Sequence, residues 1–256
     1  MQKLLLLLLL LSPLNVLAVE RVAVWAYQPS PPFASEHSQG LSEALVQLLN
    51  EHSTNQKRFD FQLTQLPRKR LDARLADNEP GVLLWATPEF FPARLTAGAH
   101  WTLPLLCDTQ DFISRSAAPF DYDGPQSLHG RRLGGILGHR YTALEEDIGQ
   151  GLIHREDVHS DLQNLNKLLS ERIDVALMPR SAWLFYSVTE VSQAQLYVSP
   201  SPLYVFDRHL LTTASLGPEA TQFIQQLVTD LPRSALWQQL LRRYGLQQMS
   251  APCPKY

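Results

Sequence analysis

Two stretches of this chain make the same transition. In residues 165–179, LNKLLSERIDVALMP, Leu165, Leu168 and Leu169 fall at helical spacing, Glu171 and Arg172 interrupt, and residues 173–178 are almost wholly apolar until Pro179 ends the run. Earlier, Leu71 and Leu75 close a helical pattern, and Val82, Leu83, Leu84, Trp85 and Ala86 form an apolar run that Thr87 and Pro88 end. A strand that is apolar on both faces has to be covered on both, and parallel sheets flanked by helices do this. The same alternation runs elsewhere. Residues 22–27 read as a strand that residues 28–32, QPSPP, convert into an extended loop. From Gly40, with Ser42 near the start, Leu41, Ala44, Leu45, Leu48 and Leu49 trace an amphipathic helix. Phe59, Phe61 and Leu63 alternate with polar residues as a strand closed by Pro67. Residues 132–137 predict a strand, Thr142 with Glu145 predicts a capping box on a short helix, and Val158 marks a further brief strand. Two such units in one chain predict two α/β lobes.

The composition allows this: of 256 residues, 45% are hydrophobic and 18% charged, enough apolar side chains for one large core or two smaller ones. A net charge of −3 gives no footprint for nucleic acid, and Arg68-Lys69-Arg70 reads as a solvated helix start. At the N-terminus, Lys3, the leucine run over residues 4–11, Pro13 and the small-residue approach to Ala18 have the layout of a secretory leader cleaved after Ala18. Ser12, Pro13 and Asn15 interrupt the run before it reaches the roughly 20 residues a membrane span needs. The expectation is an exported, periplasmic, monomeric protein. In an oxidising compartment its two cysteines, Cys107 and Cys253, form a candidate disulfide.

No G-x-S-x-G, H-E-x-x-H, Walker loop or C-x-x-C occurs, and Gly134, Gly135 and Gly138 do not have dinucleotide-binding spacing. His154 and His159 lack a third ligand. No enzyme activity, cofactor or metal is expected, an orphan enzyme on the same fold being the remaining alternative. In open α/β sheets, ligands bind beyond the carboxyl ends of the strands, which selects residues 87–94 and 179–183. The candidate binding residues are Tyr27 and Phe33 on the first loop, and Trp85, Phe90 and Arg94 on the next. His139, Arg140 and Tyr141 precede a helix, and Arg180 follows the last strand. Aromatic and cationic side chains suit planar or anionic solutes. Trp85 and Phe91 read more readily as core than as ligand platforms, Trp183 falls on a helix face, and Arg180 is readable as solvated. Residues 138–141 lead into a helix whose free N–H groups favour an anion, although Glu145, Glu146 and Asp147 already complement that end.

The segments YQPSPPF (27–33), GLSEALVQLL (40–49), LPRKRLDARLADNEPGVLLW (66–85), LHGRRLGGILGHRY (128–141) and LNKLLSERIDVALMP (165–179) carry a resemblance to the periplasmic solute-binding proteins of extracellular family 3. The resemblance implies a hinged Venus-flytrap fold with its ligand cleft between the lobes. Residues 19–107 and 206–256 would form the first lobe and residues 108–205 the second. It also implies that a small-molecule solute is delivered to an ABC permease or signalled to a membrane sensor. Members that bind α-amino acids usually place an arginine where Phe90 stands and an aspartate where Pro179 stands, so this chain lacks both charged jaws of that grip. The expectation that follows is an acidic or aromatic polar solute gripped by Arg94 with Arg140 or Arg180.

Overall fold

A computed structural model of the protein describes residues 19–35, 39–249 and 251–254, so the expected leader lies outside the described residues. In the first lobe, β1 (Glu20–Ala26) pairs in parallel with β2 (Phe59–Gln65) and β3 (Val82–Ala86). In the second, β6 (Arg132–Ile136) pairs in parallel with β7 (His154–Val158) and β8 (Val175–Pro179). The expected parallel order therefore holds within each lobe, and the strand marked by Val158 extends back to His154.

Between the lobes the sheet is antiparallel. The long strands β5 (Leu106–Arg115) and β10 (Tyr204–Thr212) run against each other from Tyr204 opposite Gln110 to Arg208 opposite Leu106. Farther along, His209, Leu211 and Thr212 of β10 pair with β3, with a register shift between His209 and Leu211, while β5 continues along β8. One strand carries the chain out of the first lobe and the other brings it back, and this opposite direction makes the joint antiparallel. Two short strands finish the sheet: β4 (His100–Trp101) on β10 and β9 (Leu196–Val198) on β5.

The helices cover the sheets as their apolar spacing predicts. α1 (Leu41–Glu51) buries Leu41, Leu45, Leu48 and Leu49 beside α6 (Pro218–Asp230), whose Phe223 stacks on Phe61 at 5.6 Å. α2 (Arg68–Ala76) buries Leu71 and Leu75 on the opposite face, in a cluster with Trp25, Leu83, Phe91 and Leu95. Each fully buried leucine of this kind contributes roughly 1.5–3 kcal/mol. α4 (Asp161–Leu169) and α5 (Arg180–Thr189) pack on the second lobe, and α7 (Ala235–Arg243) closes the C-terminus through Trp237 and Leu241. Arg68 is a helix start, as read, but it is anchored: its guanidinium lies over the Phe91 ring at 4.0 Å and pairs with Asp72.

Three local details shape the strand ends. α1 has no side-chain cap; the carbonyls of Pro32 and Phe33 accept from the N–H groups of Leu41 and Ser42 at 2.7 and 3.0 Å. This brings the Phe33 carbonyl to 2.6 Å from where a Cβ on Gly40 would stand, so only glycine fits. At the end of β3, Trp85 holds φ +59°, fixed by its indole N–H donating to Ser42 Oγ at 2.9 Å and by Gln28 Nε2 donating to its carbonyl at 3.1 Å. The predicted capping box is half formed. Glu145 accepts from the backbone N–H of Tyr141 at 3.1 Å, Thr142 makes no cap bond, and residues 142–144 form a 3-10 turn before the five-residue helix α3 (Glu145–Gly149).

Candidate functional site

The carboxyl ends of β6, β7 and β8 bring three segments to one edge of the second lobe: the loop after Ile136, the start of α4 and the start of α5. The ends of β1 and β3 bring residues 27–33 and 87–91 to the facing edge of the first. The crossing strands β5 and β10 lie between these edges.

Four polar residues in a row on β5, Asp108, Thr109, Gln110 and Asp111, are buried. A buried carboxylate requires a partner, and two arginines supply them. Arg208 of β10 pairs with Asp108, its Nη2 standing 2.6 Å from Oδ2. Asp108 also accepts from the backbone N–H of Ser181 at 3.1 Å and from Ser181 Oγ at 2.7 Å, which caps α5. Arg180 grips Asp111 through both oxygens, at 2.8 and 3.0 Å, and Thr109 Oγ1 donates to the same carboxylate at 2.6 Å. Burial raises the Asp111 pKa, opposed by the hydrogen bonds from Arg180 and Thr109.

Aromatic rings enclose this charged strip. The Arg208 guanidinium lies 4.6 Å from the Phe33 ring centre and 4.9 Å from that of Phe206. Phe206 in turn contacts Phe90 at 5.1 Å and Tyr204 at 5.9 Å. Phe90, with 37% of its surface exposed, presents an apolar face to solvent at this edge. Burial raises the pKa of both Tyr27 and Tyr204, and Arg208 opposes the rise in each, so both hydroxyls lie within its field.

Several buried polar atoms here have no hydrogen-bond partner among the described residues. They are Gln28 Oε1 just past β1, Gln110 Nε2 on β5 opposite Pro179 and Tyr204, and Asp161 Oδ1 at the start of α4. Trp25 Nε1, Asn164 Oδ1 and Thr221 Oγ1 are also unpartnered, but they sit inside a strand or helices. Among the described residues, the one metal-like grouping is Cys107, Asp207 and Cys253, and its two sulfurs are already joined. That disulfide, with Cα atoms 4.8 Å apart, ties the tail to β5 as the lone cysteine pair suggested.

The residues named from the sequence are distributed unevenly around this strip. Phe90, Phe33 and Arg180 belong to it, Phe33 as a buried platform under Arg208 and Arg180 as Asp111's partner. Tyr27 is half-buried against Phe91 and Arg68. Trp85 has no exposed surface and Trp183 is buried on α5, so both are core side chains. Tyr141 is also buried; its hydroxyl accepts from the Ile136 N–H at 3.2 Å, and Arg155 lies 4.8 Å from its ring centre. His139 and Arg140 are exposed, and Arg140 reaches only Glu145, at 3.8 Å. Arg94 is exposed on a 3-10 turn packed beside α2 and makes no hydrogen bond or ion pair among the described residues. No contact joins Arg94 to Arg140 or Arg180.

Asp108, Gln110, Asp111, Asp161, Tyr204, Phe206 and Arg208 went unnoticed in the sequence. Two acids inside LPLLCDTQDFISR (103–115) are the signal that could have revealed the ion pairs at the joint, because acids in an apolar strand imply buried partners. Asp161 gives no such signal, since an acid after Ser160 looks like an ordinary helix start.

No family model and no curated protein matches the sequence. Solved structures match over most of the chain. The GluR0 ligand-binding core from Nostoc punctiforme in complex with L-glutamate is 16% identical, with a TM-score of 0.63 over 89% of this chain and 99% of that one. The L-cystine solute receptor of Neisseria gonorrhoeae, in its unliganded open conformation, is 14% identical, with a TM-score of 0.61 over 91% and 96%. The periplasmic VFT2 domain of Bordetella pertussis BvgS is 16% identical, with a TM-score of 0.57 over 88% and 93%. The chain has the two-lobed fold of periplasmic binding proteins.

Proposed function

We propose that a chain with this fold and this edge is a periplasmic solute-binding protein, without enzymatic activity, that closes its lobes on a small polar solute. The carrying observation is that buried polar atoms are left unpartnered just past β1, on β5 in the joint and at the start of α4, namely Gln28 Oε1, Gln110 Nε2 and Asp161 Oδ1, and that Phe90, Tyr204 and Phe206 form an aromatic cluster at the joint. Each such atom carries a desolvation penalty that a bound solute relieves. The rings would hold the apolar part of that solute. No helix among the described residues is long and apolar enough to cross a membrane. Export with cleavage after Ala18 rests on the leader pattern of the N-terminal residues. The lobes would divide near residues 107 and 205, with β5 and β10 as the hinge.

An ABC permease is the proposed partner, in keeping with the match to a solute receptor. A sensory ligand-binding module is the second reading, supported by the match to the BvgS periplasmic domain. A thermal-shift screen of polar metabolites, followed by small-angle scattering of any stabilised sample, tests the common core of both. A stabilising solute that reduces the radius of gyration is the expected result. Turnover of the solute, or binding without closure, would overturn the reading. Co-purification with a permease or with a membrane receptor separates the two partners.

A further inference from the structure

Asp161 is the first residue of α4, and its carboxylate takes no part in capping the helix, since Ser160 accepts from the Gln163 N–H. It is 5% exposed, and its Oδ1 is buried with no hydrogen-bond partner among the described residues. The groups that bear on it electrostatically are Asp108 of β5, Tyr141 after β6 and Tyr186 of α5, none of them a cation. Both oxygens of Asp108 are committed, to Arg208 and Ser181. Burial first, then the Asp108 charge, pushes the Asp161 pKa up to about 7. As a carboxylate, the group is left with a buried, unpartnered Oδ1 beside a second negative charge.

The charges across the joint show what is missing. Arg180 is matched in charge by Asp111 and Arg208 by Asp108, so these guanidinium charges are balanced within the joint, and Asp161 is one carboxylate in excess of these pairs. We infer that Asp161 is the seat of a cationic nitrogen on the solute, an ammonium or guanidinium group. The solute class is then small amines, guanidines and zwitterions rather than simple acids, the reverse of the acidic solute expected from Arg94, Arg140 and Arg180. The inference rests on the solute-binding reading.

The test is thermal shift and calorimetry at pH 8 on wild type and Asp161→Asn. The probes are ethylamine, putrescine, L-arginine, L-glutamate and L-alanine, with glutarate and propionate as acids lacking the amine. An amine-bearing probe should bind wild type and lose on the order of ten- to a hundredfold in affinity in Asp161→Asn, while the acids bind neither. The free Asp161→Asn protein should melt higher than wild type, because the substitution removes an unpartnered charge. A probe that binds both proteins equally would overturn the inference and leave the solute-binding reading standing. If no probe binds, the melting comparison decides: a higher-melting variant supports an unpartnered acid held for a ligand, and a lower-melting one shows a structural partner and overturns it.

Discussion

At the end of β8 the chain enters α5 at once, and Arg180, the first residue of that helix, lies against the fully buried Asp111 with two hydrogen bonds. At the end of β3 it passes through two 3-10 turns instead, and Arg94 on the second stands in solvent with no partner among the described residues. Both strands follow a helix and end at a proline in nearly the same sequence pattern. What separates them is the neighbour: β8 ends beside Gln110 and Asp111 of β5, whereas β3 ends beside His209 of β10, which offers no carboxylate. An arginine past a strand end is therefore gripped or left in solvent according to what the next strand in space presents. The first-lobe edge contributes mainly rings, with Phe90 exposed, and the second-lobe edge contributes charge, with Asp161 in excess.

The largest expected effect belongs to the second-lobe edge. Because the folded pKa of Asp161 lies above that of the unfolded chain, its contribution to stability is fully present below about pH 4 and is lost as pH rises through about 7. Wild type should thus lose up to about 4 kcal/mol relative to Asp161→Asn across that window, read from urea denaturation of both proteins at a series of pH values. Parallel pH profiles for the two proteins would mean that Asp161 titrates normally and that the contrast between the edges is overstated.

A smaller effect attends Arg180→Ala, which leaves Asp111 buried without its cation. The expected cost is about 2–3 kcal/mol at pH 8, below the usual penalty for breaking a buried pair because the Arg180 side chain is 38% exposed. Chemical denaturation checks it, and a change under 0.5 kcal/mol would place the pair among ordinary surface salt bridges. The smallest effect is expected for Arg94→Ala, within about 0.5 kcal/mol of wild type and without change in affinity for any solute found by screening. A tenfold loss of affinity there, measured by calorimetry, would move the binding site toward the first-lobe edge and restore the arginine grip expected from the sequence.

Much of the architecture was legible because periodicity survives without knowledge of partners. The helical spacing of Leu165, Leu168 and Leu169 and the apolar run of β3 specify which faces must be covered, and burial is a property that each segment declares for itself. Cys107 and Cys253 were legible for the same reason, as two cysteines with nowhere else to pair. The candidate site was less so. Trp85 and Tyr141 have the residue types of ligand platforms, yet neighbours from distant segments, Ser42 for one and Ile136 and Arg155 for the other, take up their polar groups and bury their rings.

By itself, then, the sequence determined the alternation of strands and helices, the two-lobed plan and the edges at which a ligand could sit, since all three follow from local apolar spacing. Only the tertiary structure decided the charge of the site. Electrostatic character depends on which side chains meet across long separations, Asp108 with Arg208 and Asp111 with Arg180, and on which one is left over. Asp161 reads in sequence as a helix start; it becomes an unpartnered buried acid only when β5 and α5 close around it.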